Sequence, residues 1–294
     1  SWLGDVYKRQ PLQTKIKMTM IQRPCAKINL GLNIVSKRPD GYHNLETVFY
    51  PINLNDEICI EPVLDKEITK YQCSLSIKGI NIEGDLQQNL IVKAYNILKK
   101  YYPQIPNVNV TLTKNIPTQA GMGGGSSDCA YTIKMLNEMF NLKMSIKDMQ
   151  SFASKLGADC PFFINPQPSH ATGIGEILTP IDINLSKYKI AIVKPPVMIS
   201  TKEAFSNIIV KQPIKCCKEI VAQPIETWKE ELINDFENSI CTIHPEIGRI
   251  KNRLYDLGAI YASMTGSGSA LFGIFEKEIG NFDCIFEDCY THIV

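Results

Sequence analysis

The chain lacks the features that mark membrane and nucleic-acid-binding proteins. None of its apolar runs reaches about 18 residues, the length that a membrane-spanning helix needs. Its formal net charge is only +1, so the basic excess typical of nucleic-acid-binding proteins is missing. We therefore expect a protein with neither a membrane nor a nucleic acid as its partner.

The cysteines also lack a recognisable pattern. None of the 10 cysteines is paired in a C-x-x-C spacing, which excludes a zinc ribbon and a thioredoxin-like redox pair. The histidines show no metal-ligand spacing either, so no metal ligands are predicted. There is no apolar stretch followed by a small-residue cleavage site near the beginning of the sequence. These observations predict reduced, mostly buried thiols in a cytoplasmic protein.

Length and composition predict a globular protein of about two domains. Hydrophobic residues make up 44% of the 294 residues and charged residues 21%, which is ordinary globular usage. Strand-like and helix-like segments alternate irregularly, which favours an α+β fold over a doubly wound sheet. We expect a non-native or disordered leader over residues 1–19, an N-terminal domain over 20–180 and a C-terminal domain over 181–294.

Hydrophobic periodicity predicts the main elements. A period-two pattern over Ala26–Ile34 indicates a strand with Lys27 and Asn29 on its polar face. Further strands are predicted at 45–49, 57–61, 75–77, 108–112, 189–193 and 270–275. Helices are predicted at 89–101, at 145–156 with Ser145 as its N-cap, and near 201–209, 226–239 and 246–257. A further helix is predicted directly after a glycine-rich loop.

The glycine-rich loop is the strongest functional signal in the sequence. Residues 117–130 read PTQAGMGGGSSDCA, with Gly121 and Gly123–Gly125 just before an amphipathic helix. Unpaired N–H groups at a helix N-terminus bind anions, and glycines let the backbone approach a phosphate closely. The spacing matches neither a Walker A loop nor a Rossmann loop. A flexible turn with a serine cap is the alternative, but it would not require four glycines in five positions.

Two charged residues are candidates for acid–base chemistry. Lys27 could act electrostatically on a nearby hydroxyl, although a solvated strand face is the simpler interpretation. Asp159 lies in LGADCPFF, between small residues and an apolar segment predicted to be a strand. Its carboxylate could act as a base, although an ordinary turn aspartate is the commoner case.

Taken together, these segments resemble the three motifs of the GHMP small-molecule kinases. The motifs are PCAKINL near Lys27, the loop PTQAGMGGGSSD and the late segment MTGSGSALF at residues 264–272. RPDGYH at 38–43 and LGADCPFF at 156–163 narrow the resemblance to a member acting on a cytidine-bearing substrate. The resemblance implies a ribosomal-S5-like N-terminal domain and a ferredoxin-like C-terminal domain.

The resemblance also implies roles for individual residues. The expected catalytic pair is Lys27 and Asp159, with Asp159 as the base on a substrate hydroxyl. ATP, together with Mg²⁺, is the expected cofactor, and its predicted binding residues are Asn89, Lys114, Pro117, Ala120, Gly121, Met122, Gly123, Gly124, Gly125, Ser126 and Ser127. A small-molecule cytidine diphosphate-linked substrate is the expected partner, and its predicted binding residues are Asn29, Tyr42, His43, Thr201 and Phe205.

Two alternatives remain open at this point. A mevalonate-type or homoserine kinase shares the loop but has no need of the Gly41-Tyr42-His43 segment. A binding protein of the same fold without catalysis is less compatible with Lys27, Asp159 and the loop all being present. The sequence does not distinguish a monomer from a homodimer.

Overall fold

A computed structural model describes residues 19–63, 71–206, 208–280 and 282–294. Apart from Thr19, the predicted leader lies outside the described residues. The described chain forms three four-stranded sheets with helices packed between and around them. None of its helices is both long and apolar enough to cross a membrane.

The first sheet contains the strand that precedes the glycine-rich loop in the chain. Its order is β1-β4-β6-β5, with β5 parallel to β6 and the other pairs antiparallel. The strands are β1 (Met20–Gln22), β4 (Glu57–Pro62), β5 (Cys73–Gly79) and β6 (Val108–Lys114). One large hydrophobic cluster joins these strands to the helices α1 (Leu90–Tyr101), α2 (Gly124–Met139), α3 (Ile146–Ser154) and α4 (Cys160–Ile164).

The second sheet is built on a long antiparallel pair. Its order is β2-β3-β7-β8, and its strands are β2 (Cys25–Lys37), β3 (His43–Asn55), β7 (Ser169–Thr172) and β8 (Ile177–Pro180). Both faces of β2 are buried from Ala26 to Ile34. Lys27 and Asn29 are therefore not on a solvated face, because other parts of the chain cover that side of the sheet.

The third sheet has the order β10-β11-β9-β12, and all its pairs are antiparallel. Its strands are β9 (Lys189–Lys194), β10 (Tyr261–Met264), β11 (Leu271–Phe275) and β12 (Tyr290–Ile293). The helices of this part of the chain are α5 (Thr201–Phe205), α6 (Cys217–Val221), α7 (Trp228–Glu231), α8 (Phe236–Ile243) and α9 (Pro245–Asp256). One face of the sheet packs against β2 and β3, and the other against α8 and α9.

The helix predicted near 226–239 is not continuous: its range holds α7 and the start of α8, and the chain leaves the helical path between them. There the backbone pairs with β2: the Leu32 amide donates to Ile233 O at 2.8 Å, and the Asp235 amide donates to Leu32 O at 2.9 Å. The Ile34 amide donates to Asp235 Oδ2 at 2.7 Å. These long-range hydrogen bonds replace helical ones, so a tertiary contact overrides the local periodicity.

Two other expectations need correction. The apolar segment after Asp159 is the helix α4, not a strand, and Pro161 in its first turn favours a helix start. A short apolar run does not distinguish the two by periodicity. All ten cysteines are free, as expected, but only Cys73, Cys129, Cys160 and Cys217 are buried. Five are half-buried and Cys284 is exposed.

Candidate active site

The glycine-rich loop ends at the N-terminus of α2. Gly123 occupies the N-cap position with φ +70°, and no side chain of the described residues caps the first turn. The loop is held from two directions. The Lys27 amide donates to Met122 O at 3.0 Å, and the Ala270 amide donates to Ala120 O at 3.2 Å. The N-terminus of α2 is therefore uncapped and held in place by backbone hydrogen bonds, which is the geometry that an anion site requires.

Close packing explains why the loop needs glycine. A Cβ atom at Gly121 (φ +74°) would lie 2.0 Å from the carbonyl oxygen of Thr265. A Cβ atom at Gly123 would lie 2.8 Å from the ring of Phe163. Both residues also adopt the left-handed conformation that other residues rarely tolerate. The glycines at these positions therefore serve close backbone approach as well as chain conformation.

A cavity of about 560 Å³ runs along the loop. It is lined by nearly all the residues predicted to bind ATP, namely Asn89, Lys114, Pro117, Ala120, Gly121, Met122, Gly123, Gly124, Gly125 and Ser126. Ser127 is the exception, because it does not line the cavity. Its side chain is fully buried, and its Oγ has no hydrogen-bond partner among the described residues. Asn89 also caps α1, because its Oδ1 accepts a hydrogen bond from the Ile91 amide.

Lys114 lies between two carboxylates at one side of this cavity. Its Nζ is 2.5 Å from Asp56 Oδ2 and 2.8 Å from Asp128 Oδ2. Burial acts to lower the pKa of Lys114, but Asp128 and Asp56 together raise it. Burial also raises the pKa of Asp128, and its Oδ1 has no hydrogen-bond partner among the described residues. The lysine charge is thus already paired and holds the carboxylates in place.

Lys27 is the buried cation at the other side of the loop. Only 3% of its surface is exposed. Its Nζ donates to Asn29 Oδ1 at 2.5 Å and to Gly121 O at 2.8 Å. Burial lowers the pKa of Lys27, and the nearby Asp159 acts in the opposite direction. These contacts fix the ammonium group between the loop and a second cavity.

Asp159 faces Lys27 across that second cavity, which has a volume of about 350 Å³. Asp159 Oδ2 lies 3.8 Å from Lys27 Nζ, and about a third of the Asp159 side chain remains exposed. Asn29 and Phe205 line the same cavity. Ser126 lines both this cavity and the one along the glycine loop, so the two meet at the start of α2.

The aromatic rings of Phe205 and Phe236 also line the second cavity, whereas the predicted substrate residues Tyr42 and His43 are not among its lining residues. His43 stacks on Phe205 with ring centroids 4.8 Å apart and planes 20° from parallel. Phe205 in turn packs edge-on against Phe236 at 4.9 Å. Tyr42 is 62% exposed, so its ring is accessible to a ligand. Thr201 begins α5, and its side chain lies outside the described part of the chain.

Known proteins share this arrangement of loop and helices. The profile of the GHMP kinases N terminal domain matches residues 89–166, and that of the GHMP kinases C terminal domain matches residues 218–281. The 4-diphosphocytidyl-2-C-methyl-D-erythritol kinase of Bacteroides thetaiotaomicron is 51% identical over 88% of this chain and 93% of its own length. The chain belongs to the 4-diphosphocytidyl-2-C-methyl-D-erythritol kinase family of the GHMP kinases.

Further relatives of this GHMP kinase support the same family assignment. The 4-diphosphocytidyl-2-C-methyl-D-erythritol kinase of Parabacteroides distasonis is 45% identical over 92% of this chain and 97% of its own length. A crystal structure of 4-(cytidine 5'-diphospho)-2C-methyl-D-erythritol kinase superposes with a TM-score of 0.74 at 28% identity, covering 93% of this chain and 98% of that one. A homoserine kinase from Cytophaga hutchinsonii, at 16% identity and a TM-score of 0.69, shares the fold alone.

The structure of this GHMP kinase adds site residues that the sequence did not indicate. Thr265 Oγ1 lies 3.2 Å from Asn29 Oδ1 and 3.1 Å from Gly121 O. Thr47 Oγ1 accepts a hydrogen bond from Asn29 Nδ2 at 3.0 Å. The late glycine-rich motif had indicated support for the loop in general terms. Thr265 lies within that motif, directly after β10, but Thr47 on β3 carries no such signal, because its partners are set only by strand pairing.

Proposed function

We propose that this chain transfers the γ-phosphoryl group of ATP to the 2-hydroxyl of 4-diphosphocytidyl-2-C-methyl-D-erythritol, a step of the methylerythritol phosphate route to isoprenoid precursors. The observation that carries the proposal is the meeting of the two cavities at Ser126, with Lys27 and Asp159 on the acceptor side. The names of the relatives identify the acceptor alcohol. Phosphoryl transfer depends mainly on positioning and charge stabilisation, which this arrangement supplies.

Asp159 is the proposed general base. As the acceptor oxygen forms its bond to the γ-phosphorus and the bond to the ADP oxygen breaks, the hydroxyl proton passes to the Asp159 carboxylate. Lys27 lies 3.8 Å from that carboxylate and contacts the loop through Gly121 O at 2.8 Å. Its buried charge stabilises both the carboxylate and the negative charge that develops on the transferred group.

The uncapped N-terminus of α2 is the proposed site for the ATP phosphates, and Mg²⁺ fits beside it. Two buried oxygens, Ser127 Oγ and Asp128 Oδ1, have no hydrogen-bond partner among the described residues. Asp128 also lines the ATP cavity. Oxygen atoms are the ligands that Mg²⁺ prefers, so Asp128, the one of the two that lines the cavity, would hold it with the nucleotide. Bound there, the ion would neutralise phosphate charge.

The aromatic end of the acceptor cavity is the proposed cytidine site. Phe205 offers a ring face for a pyrimidine, and His43 offers ring nitrogens for its polar edge. The exposed ring of Tyr42 would close over the base. Asn29 and Thr201 complete the predicted contacts with the substrate. Mevalonate and homoserine have no base to place there.

Replacement of Asp159 by asparagine tests the chemical role. Asp159→Asn keeps the shape of the side chain but removes the base, so kcat should fall by about 10²- to 10⁴-fold. ATP binding should stay within about twofold, since Asp159 lines only the acceptor cavity. A coupled ADP-release assay measures turnover, and isothermal titration calorimetry measures ATP affinity.

Asp256→Asn is the matched control, because Asp256 is exposed at the C-terminal end of α9. This variant should keep the activity of the parent protein. If Asp159→Asn turned over substrate at the rate of the control, Asp159 would not be the base.

A further inference from the structure

A cluster of three metal-ligating side chains lies outside the site described above. Glu46, His170 and Cys216 each offer one ligand atom, and these atoms all lie within 4.8 Å of one another. Glu46 Oε1 and His170 Nε2 are 2.8 Å apart. Glu46 is on β3, His170 is on β7, and Cys216 is the residue directly before α6. Nothing in the proposed phosphoryl transfer uses these residues.

The strand register explains how the cluster forms. Val48 pairs with His170 across the β3–β7 ladder, so Glu46 and His170 are diagonal neighbours on one face. Leu45, Thr47 and Phe49 alternate with Glu46 and Val48 and line the acceptor cavity. Successive side chains of a strand point to opposite faces. The cluster therefore lies on the side of the sheet away from the acceptor cavity.

A surrounding shell of hydrogen bonds holds the carboxylate of Glu46 in position. Asn33, which pairs with Glu46 across the β2–β3 ladder, donates from Nδ2 to Glu46 Oε2 at 2.8 Å. The Cys217 amide donates to Glu46 Oε1 at 2.7 Å. Such outer contacts orient the first ligands in known metal sites. His170 and Cys216 are only half-buried, so an ion from solvent can reach them.

We propose that Glu46, His170 and Cys216 form a binding site for a divalent transition metal of the zinc class. A thiolate, an imidazole and a carboxylate are the ligand types that Zn²⁺ takes, and three of them leave the fourth tetrahedral position to water. The soft sulfur and the imidazole disfavour Mg²⁺, so the metal of the kinase reaction does not compete. On binding, the Cys216 thiol loses its proton to solvent, and His170 coordinates as the neutral imidazole.

Cobalt titration of the full chain, stripped of metal with a chelator, tests the proposal. Co²⁺ takes the place of Zn²⁺ and reports a thiolate ligand by a charge-transfer band in the near ultraviolet. We expect one cobalt ion per chain to produce that band. Added Zn²⁺ should abolish it, whereas millimolar Mg²⁺ should leave it unchanged. A wild-type chain that develops no thiolate band would overturn the proposal.

Variants assign the band to this cluster among the ten cysteines of the chain. Cys216→Ser should remove the band. His170→Gln should weaken cobalt binding by more than about 100-fold, which exceeds the usual effect of losing a residue that only hydrogen-bonds to a metal ligand. The matched controls are Cys284→Ser and His292→Gln, which lie outside the cluster and should bind as the parent does. Melting temperatures without metal check that every variant folds. An unchanged band in Cys216→Ser would assign the metal to other thiols and contradict the site.

Discussion

At the scale of single residues, Lys27 shows how tertiary structure changes the chemistry of a side chain. The alternating pattern places it on a polar strand face, yet the structure buries it with only 3% of its surface exposed. Its ammonium group keeps three partners, Asn29, Gly121 and Asp159. No local pattern could predict this burial, because the covering residues come from distant parts of the chain.

The pKa of Lys27 gives a prediction for the pH dependence of the reaction. Burial lowers this pKa from 10.5, so the ammonium group loses its proton at a lower pH than an ordinary lysine. Because the role proposed for Lys27 requires its charged form, kcat/KM should fall as the pH rises through a value below 10.5. A pH–rate profile for the acceptor at saturating ATP measures this. Activity that stayed constant beyond the ordinary lysine pKa would show that Lys27 is not required in its charged form.

At the scale of elements, the loop before α2 depends on glycine at a defined position. Gly121→Ala places a methyl group where the Thr265 carbonyl already lies and adds backbone strain of about 1–3 kcal/mol. We expect a lower melting temperature and at least about tenfold weaker ATP binding, since the loop must move. Calorimetry and thermal unfolding measure the two effects.

Gly280→Ala is the control for that variant, because a methyl group at Gly280 would meet no described atom within 4 Å. It should match the parent in both measurements. ATP binding by Gly121→Ala at the affinity of the control would mean that the loop is not a close-packed phosphate cradle.

The capping box of α3 should affect stability without affecting catalysis. Ser145 Oγ accepts a hydrogen bond from the Asp148 amide at 3.1 Å, and Asp148 Oδ2 accepts one from the Ser145 amide at 2.8 Å. Ser145→Ala should cost about 1 kcal/mol. This corresponds to a fall in melting temperature of about 2–4 °C. Ser154→Ala, an exposed serine of the same helix, should change it less, and kcat should be unaffected in both variants.

At the scale of the whole molecule, the site joins distant parts of the chain. Thr265 Oγ1 accepts a hydrogen bond from the Asn29 amide at 3.0 Å, across a separation of 236 residues, and it also contacts Gly121 O. Thr265→Val removes the hydroxyl at nearly constant volume and takes away the acceptor of the buried Asn29 backbone N–H. A loss of about 1–3 kcal/mol in the free energy of unfolding is expected, together with reduced kcat.

Chemical denaturation and the coupled assay measure these two effects. Thr242→Val is the control, since the Thr242 hydroxyl bonds only to the backbone of its own exposed helix turn. Equal stability and activity of the two variants would argue against the role of Thr265 in the site.

How much the sequence could predict also differs with scale. The period-two strands, the helix at 89–101, the Ser145 cap and the glycine-rich loop leading into a helix all follow from local chemistry and are present in the structure. The break between α7 and α8 and the strand β12 depend on pairing with β2 and β9. The cluster of Glu46, His170 and Cys216 has no sequence spacing that indicates it. Features made by long-range pairing therefore require the structure.

The acceptor alcohol of this kinase can be identified by a direct measurement. ADP release should be followed with Mg-ATP and 4-diphosphocytidyl-2-C-methyl-D-erythritol, beside parallel reactions with mevalonate and homoserine. We predict ADP release with the cytidine-bearing substrate alone, inhibited by CMP or CDP in competition with that substrate. Release with mevalonate or homoserine, and none with the cytidine-bearing alcohol, would contradict the proposed function.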